Sequence, residues 1–443
     1  MAKRRNRRKS PRQVRRPIPP PPPFWRLRPS SQFGQEILEE LQDDPPLAFD
    51  LWYAARRVRA WVESAQGAGA STRPTSVRTD RPSPGARADE IDVDDELSFL
   101  VKLGSSASAR EVGSACAAVC TWAHANDRKE TRVHFAELAA RADAENPALA
   151  NAAGRVCREG GLYDRAELWL ERGYRLAVTV GARDEAVRAL LGNGSLMQER
   201  GRLLQARRWF LKGARRAERT GRRRLAAEAR HDLLALAAER GNMSEVVEHA
   251  SAAIELYPLN SPRLPYLAHD FAFVLIRHGL FPAALPLLES FLKVVPPHDL
   301  LPGLSTFAWA AAGCGLVHRY EEAERRTLKR LQVDAKHAAP SFIHLAEGAR
   351  LLGRWPLAET FAMQAVKAAR EREQKDAERE AEELLAAVQS RIVAKPGDPG
   401  DRPELQPLLR YFALRLRRWK GDPQRRIGDH LAAERGRAAG GEG

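Results

Sequence analysis

The sequence predicts an all-α protein: an α-solenoid of stacked helical hairpins, preceded by a disordered basic arm. Two observations predict the solenoid. A turn landmark recurs roughly every 40 residues over more than half of the chain, and the apolar residues between landmarks follow helical spacing. A third observation separates body from ends, because the charge is unevenly placed. The formal net charge is +15, yet residues 1–28 carry Lys and Arg with no acid, and residues 402–443 carry an excess of roughly five positive charges. The body between them is close to neutral. Attraction for polyanions is therefore expected from flexible tails, as a salt-sensitive and largely sequence-independent term.

Composition sets the other bounds. With 44% apolar and 29% charged residues in 443, the chain has enough apolar surface for a sizeable core and enough charge for solubility. Cys116, Cys120, Cys157 and Cys314 are too few and too scattered for a disulfide framework, which fits a reducing compartment. The basic start runs into Pro17 and the prolines of residues 19–23, where a secretory signal needs an apolar helix. A cytoplasmic location is expected.

Along the chain, residues 1–32 read as a disordered basic and Pro-rich arm, its prolines favouring extended polyproline II. Residues 33–63 read as a short helical segment in two pieces, Ile37, Leu38 and Leu41 before the Pro45-Pro46 pair and Leu51, Trp52, Ala55, Val58 and Trp61 after it. They are expected to dock on the repeat body. Residues 64–90 lack periodicity and read as a flexible linker. The acids Asp89, Glu90, Asp92, Asp94, Asp95 and Glu96 suit a helix N-terminus, and they are also placed to pair with the Arg-rich arm. Residues 91–146 then form a helical, degenerate first repeat, broken at Asn126 and Asp127.

The repeat proper occupies residues 147–390. In one unit Gly161 is followed by Tyr163 and Ala166, with small Gly154 before and Gly173 after; the next gives Gly201, Leu203 and Ala206 between Gly194 and Gly213. The series continues as Gly241, Met243 and Val246; Gly279, Phe281 and Ala284; His318, Tyr320 and Ala323; and Gly353, Trp355 and Ala358. Successive landmarks are spaced by 40, 40, 38, 39 and 35 positions. A glycine that closes one helix in a left-handed conformation, followed by small residues at the crossing, describes a helical hairpin. One hairpin cannot bury its apolar face alone, so each stacks on its neighbours. Residues 300–317 are uncharged over a length near the lower limit of a membrane span, but Pro302, Gly303, Gly313 and Gly315 mark them instead as a buried first helix. The Glu-, Lys- and Arg-rich residues 371–388 read as a capping helix. Residues 391–443 read as a linker, a basic amphipathic helix carrying Leu405, Leu408, Leu409, Phe412, Leu416 and Trp419, and a disordered tail. That helix has three possible docks: a membrane surface, a partner groove or the repeat body.

The turn glycine, the following aromatic, the small residues on both helices, and Pro258 and Pro296 after second helices together resemble the tetratricopeptide repeat (TPR) family, over about residues 147–388. The spacing exceeds the family's usual 34, as in the long-period arrays of bacterial regulatory proteins. Val246, Phe291 and Arg330 stand where small residues are usual. The resemblance implies a right-handed superhelix whose concave groove, lined by first helices, holds a peptide or partner helix. Residues expected to face that groove are Asn151, Arg155, Arg158, Gln198, His231, His269, Asp270, Phe273, Arg277, His344, Glu347 and Arg350. The Lys and Asn set with which some members clamp a C-terminal carboxylate is not reproduced.

A second candidate is the basic helix carrying Arg207, Arg208, Lys212, Arg215, Arg216 and Arg219, continued by Arg222, Arg223 and Arg224, with Trp209 beside it. It is a local field able to attract RNA, DNA or an acidic protein, and equally the pattern of a solvated face. Cys116, Cys120 and His124 share a helix face at i, i+4 and i+8, too far apart to close on one ion. No phosphate-cradling Gly loop, HExxH or GxSxG occurs, so neither cofactor nor enzymatic activity is expected. The expected function is a protein-binding scaffold, with a nucleic-acid-associated or regulatory role as the alternative.

Overall fold

A computed structural model describes residues 17–26, 32–67, 93–104, 106–296, 299–332, 337–372, 374–392 and 405–420. Among these the chain is all-helical, with 19 α-helices and no strand, and sequential helices pack as neighbouring pairs. It divides into two compact units, Met1–Arg200 and Gly201–Gly443.

The first unit holds α1 (Gln35–Glu40), α2 (Pro45–Gly67), α3 (Val93–Val101), α4 (Ala109–Ala125), α5 (Lys129–Ala142), α6 (Pro147–Glu159), α7 (Tyr163–Val180) and α8 (Arg183–Glu199). Local chemistry sets the starts. Ser108 and Glu111 close a reciprocal capping box on α4. Asn146 caps α6 by accepting from the Ala148 and Leu149 amides, with Pro147 at the first helical position. Helix α5 has no cap of its own, and α1 supplies one: the Glu40 carboxylate accepts from the amides of Glu130 at 2.8 Å and Thr131 at 2.9 Å. The short helical segment thus docks on the degenerate repeat, burying Ile37, Leu41, Leu51, Ala55 and Val58.

The second unit holds α9 (Leu203–Arg219), α10 (Arg223–Glu239), α11 (Met243–Leu256), α12 (Arg263–Arg277), α13 (Phe281–Leu292), α14 (Leu300–Gly313), α15 (Val317–Leu331), α16 (Ala338–Leu351), α17 (Trp355–Glu371), α18 (Lys375–Gln389) and α19 (Leu405–Arg417). Here α10–α11, α12–α13, α14–α15 and α16–α17 form successive hairpins. Helix α14, read from its uncharged stretch as a buried first helix, is almost wholly buried, and among the described residues no helix is long and apolar enough to cross a membrane.

The turns explain the period. Gly161, Gly241, Gly279, Gly315 and Gly353 all have positive φ, and the residue after each donates its amide to the carbonyl five positions before it, as Leu162 does to Cys157 and Leu280 to Leu275, both at 2.8 Å. Arg128 makes the same bond to Ala123 past Asp127, which takes φ 57 in place of a glycine. The degenerate repeat is therefore closed by the same turn. Gly181, Gly201 and Gly221 also have positive φ, so from residue 161 to 241 the glycines recur every 20 positions and the module is one helix of 17 or 18 residues with its turn.

Three expectations need correction. The fifth landmark is Gly315, not His318, which lies inside α15. Tyr320 misled the register, because a large aromatic sits five residues after the turn where a small residue is usual. It is fully buried there because the facing residue is Gly348, where an added Cβ would lie 2.6 Å from the Tyr320 ring. Second, part of the arm expected to be disordered packs on the first unit: residues 17–26 lie against it without regular secondary structure, with Pro22 and Trp25 buried. Third, α2 continues to Gly67, into the expected linker. The rest of that linker, the Arg-rich residues 1–16, and the tail from residue 421 lie outside the described residues.

Of its three possible docks, α19 takes the repeat body. Leu405, Leu408, Leu409, Phe412 and Leu416 are buried against α11, α12 and α13, with the Phe412 ring stacked on Phe271 at 5.3 Å. Trp419 donates to the Ser261 carbonyl at 2.9 Å, and Arg415 donates to that of Tyr257.

Candidate binding face of the first helices

The first helices of the second unit place one polar residue after another at the same position of successive repeats. His231 on α10, His269 and Asp270 on α12, Thr306 on α14 and His344 on α16 form an unbroken row. His231 Nε2 lies 2.9 Å from one Asp270 oxygen and His269 Nδ1 lies 3.1 Å from the other. A carboxylate only accepts, so both imidazoles donate to it. His269 Nε2 continues to Thr306 Oγ1 at 3.3 Å, and His344 Nδ1 faces Ser305 Oγ at 3.1 Å and Thr306 Oγ1 at 3.4 Å. The far end is closed by Tyr257, whose hydroxyl lies 3.4 Å from His231 Nδ1.

Partial desolvation opposes ionisation of Asp270, but the hydrogen bonds from His231 and His269 outweigh it and hold the carboxyl well below the usual carboxylate range. The Asp270 side chain is nevertheless 49% exposed, whereas His231 is 10% exposed, so the carboxylate is the part of the row that solvent reaches. Desolvation, with His269 and Arg277 nearby, pushes His344 down to about 3. It is thus neutral at physiological pH, and because the Ser305 hydroxyl donates to the Pro302 carbonyl at 3.0 Å, its oxygen is left to accept from His344 Nδ1. Aromatic rings flank the row: His344 stacks on Trp309 at 5.4 Å, and Phe273 stands 5.6 Å from His344 and 6.2 Å from Trp309. The result is a fixed anion in the row, with an aromatic cluster around its His344 end.

Five of the residues expected at the groove, His231, His269, Asp270, Phe273 and His344, are brought together here. Arg277 instead pairs with Glu380 on α18 at 2.8 Å, and Glu347 pairs with Arg350. In the first unit Asn151 is buried, its amide spent on the Glu185 carbonyl and carboxylate. Arg158 pairs with Glu199 and Glu159 there, while Arg155 and Gln198 are half-buried on α6 and α8. Sequence reasoning missed Tyr257, Ser305, Thr306 and Trp309. The period was the usable signal, since Thr306 lies 37 residues after His269 and 38 before His344.

On α9, Arg208, Lys212, Arg215 and Arg219 are exposed along one face and line a shallow concavity with Leu211 and Glu218. The Lys212 ammonium sits 4.7 Å from the centre of the Trp209 ring. Arg207 and Arg216 are partly buried, and Arg207 is paired with Glu245 at 3.2 Å. The basic strip is therefore narrower than its sequence count. On α4, Cys116 is buried, Cys120 half-buried and His124 exposed, and no metal-binding group occurs among the described residues. No protein-family model matches the chain, and no curated protein matches it in sequence.

Proposed function

We propose that the protein is a binding scaffold built on TPR-like repeats in a right-handed superhelix, and that the first helices of its second unit hold a peptide or helix of a partner protein. The observation that carries this reading is the row from His231 to His344. Its imidazoles and hydroxyls are largely satisfied by one another, which leaves the Asp270 carboxylate facing solvent on the same helix as Phe273, three residues away. Such a face suits a partner segment that offers a basic side chain to Asp270 and an apolar one to Phe273. The role is binding rather than turnover.

The test is affinity capture from the native host, with the full chain and with full chains carrying Asp270→Asn or Phe273→Ala, at low and high salt and with nuclease. A partner retained by the wild type after nuclease, and reduced at least tenfold by either substitution, supports the reading. A partner indifferent to both substitutions removes the face from consideration.

The strip on α9 supports a second reading, binding of nucleic acid. Its expected signature is affinity that falls steeply with salt, with a slope of log K against log salt of about 0.9 in magnitude for each phosphate the protein neutralises. Replacing Arg208 and Arg215 together by Gln should lower that slope by nearly 2; an unchanged slope would dismiss the strip.

A further inference from the structure

Residues 17–26, without helix of their own, lie on the first unit in a way that defines a recognition site. Arg172 on α7 donates to the Pro19 carbonyl at 2.6 Å, Arg165 on α7 to the Pro23 carbonyl at 2.7 Å, and Arg141 on α5 to the Pro22 carbonyl. Five consecutive prolines, residues 19–23, favour polyproline II. Proline has no amide N–H, so such a segment pairs through its acceptors, and guanidinium forks are suited donors. The segment ends in Phe24 and Trp25. Arg141 stacks on the Phe24 ring at 4.1 Å, and Trp25 packs on His134 at 4.8 Å.

Two of the three guanidiniums are also held from within the first unit. Arg165 is clamped by Glu137, at 2.8 and 2.6 Å, and Glu137 also accepts from Trp169 Nε1 at 3.0 Å. Arg172 is fixed by the Ala144 carbonyl at 2.7 Å. Arg141 and Arg172 are only 6% and 8% exposed, and burial lowers the pKa of both, that of Arg141 to about 10. With the segment in place two buried cations thus take carbonyl oxygens from outside the helices, and any segment that covers them has to supply acceptors in place of water. Little in the contact reads side-chain identity beyond the terminal aromatic pair.

We propose that this surface of α5 and α7 is a recognition site for proline-rich extended segments, and that residues 17–26 are its tethered occupant, exchangeable for a proline-rich segment of a partner protein that ends in aromatic residues. The tether gives the resident segment an effective concentration of about the millimolar order, so a free peptide competes poorly until the resident one is weakened. The site is separate from the face on the second unit, and its test is independent of that reading.

The probe is a fluorescent peptide with the sequence of residues 17–26, titrated by polarisation into the full-length chain. With Phe24→Ala and Trp25→Ala together in that chain, the peptide should bind at least tenfold more tightly than to the wild type, and adding Arg172→Gln should abolish the gain. A peptide with glycine in place of its prolines should bind at least tenfold more weakly. A double variant that keeps its helical circular dichroism and melting temperature but binds no better than the wild type overturns the proposal. If the double variant misfolds, the wild type decides: a peptide carrying a photoreactive benzoylphenylalanine in place of its Phe should crosslink to α5 or α7 at millimolar concentration. Crosslinks confined to other helices, or none, overturn it equally.

Discussion

The two units each fold a terminal segment back onto their helices, and they do it with opposite chemistry. Residues 17–26 have no helix to satisfy their carbonyls, so the first unit meets them with three guanidiniums, two of them buried. Helix α19 satisfies its own backbone and offers the second unit an apolar face, with Phe412 fully buried. Backbone that cannot pair with itself has to be recognised by side-chain donors. Backbone that can leaves recognition to the packing of side chains. One dock is therefore directional and charged, the other largely non-directional and apolar.

The sharpest way to break the apolar dock is Phe412→Ala. Removing a fully buried aromatic costs about 3–5 kcal/mol and breaks the stack on Phe271. Helix α19 should detach, seen as fast amide exchange in residues 405–417 while α10 to α17 stay protected. Protection of α19 equal to wild type would show that Trp419 and Arg415 hold it instead. For the charged dock the matching change is Arg172→Met, which deletes the bonds to Pro19 and Ala144. It should destabilise the first unit by about 2–3 kcal/mol, the range for charge-assisted hydrogen bonds, read as a lower urea midpoint for that unit alone. An unchanged midpoint would mean that the segment rides on Phe24 and Trp25.

Acid should separate the units further. The arginines of the first dock stay charged throughout the acid range, whereas His344 in the second unit is held neutral down to about pH 3. Its folded pKa lies below the unfolded value near 6.5, so the unfolded chain takes up the proton first. Stability contributed by neutral His344 is complete above about pH 6.5 and declines below it, by at most about 1.4 kcal/mol per pH unit, until about pH 3. Asp270, whose folded pKa is lowered, adds a loss only at more acid pH, below the usual carboxylate range. Urea midpoints between pH 7 and pH 4 should fall for the second unit and flatten in His344→Phe. The same slope in wild type and variant would exclude His344 as the cause.

Much of this architecture was legible in the sequence, and the exceptions are instructive. The hairpins were legible because a left-handed turn leaves a glycine and the packing leaves small residues, both local marks. The register slipped at His318 because Tyr320 fills a position normally held by a small residue, and the Gly348 that makes room for it lies on the next first helix. His231, His269, Asp270 and His344 stood out as polar residues on first helices, while Ser305 and Thr306 were hidden in an uncharged stretch read only for burial. The docked arm was illegible for a different reason. Its composition is that of a disordered segment, and its partners Arg141, Arg165 and Arg172 lie 119 to 153 residues away on helices where arginine is common.

The smallest effect concerns the turns shared by both units. Gly221 at φ 69 and Asp127 at φ 57 adopt the same left-handed conformation, but only glycine does so without a Cβ penalty, of about 1–2 kcal/mol. Nothing lies within 4 Å of an added Cβ at Gly221, so Gly221→Ala tests backbone strain alone and should lower stability by about 1 kcal/mol. Asp127→Gly should act in the opposite sense and by less than about 1 kcal/mol, because glycine relieves strain in the fold while adding freedom to the unfolded chain. Paired urea titrations of the two variants decide the point. If Asp127→Gly destabilises instead, the aspartate is held in its turn by more than the backbone bond from Arg128 to Ala123, and the degenerate repeat is no longer a weakened copy of the others.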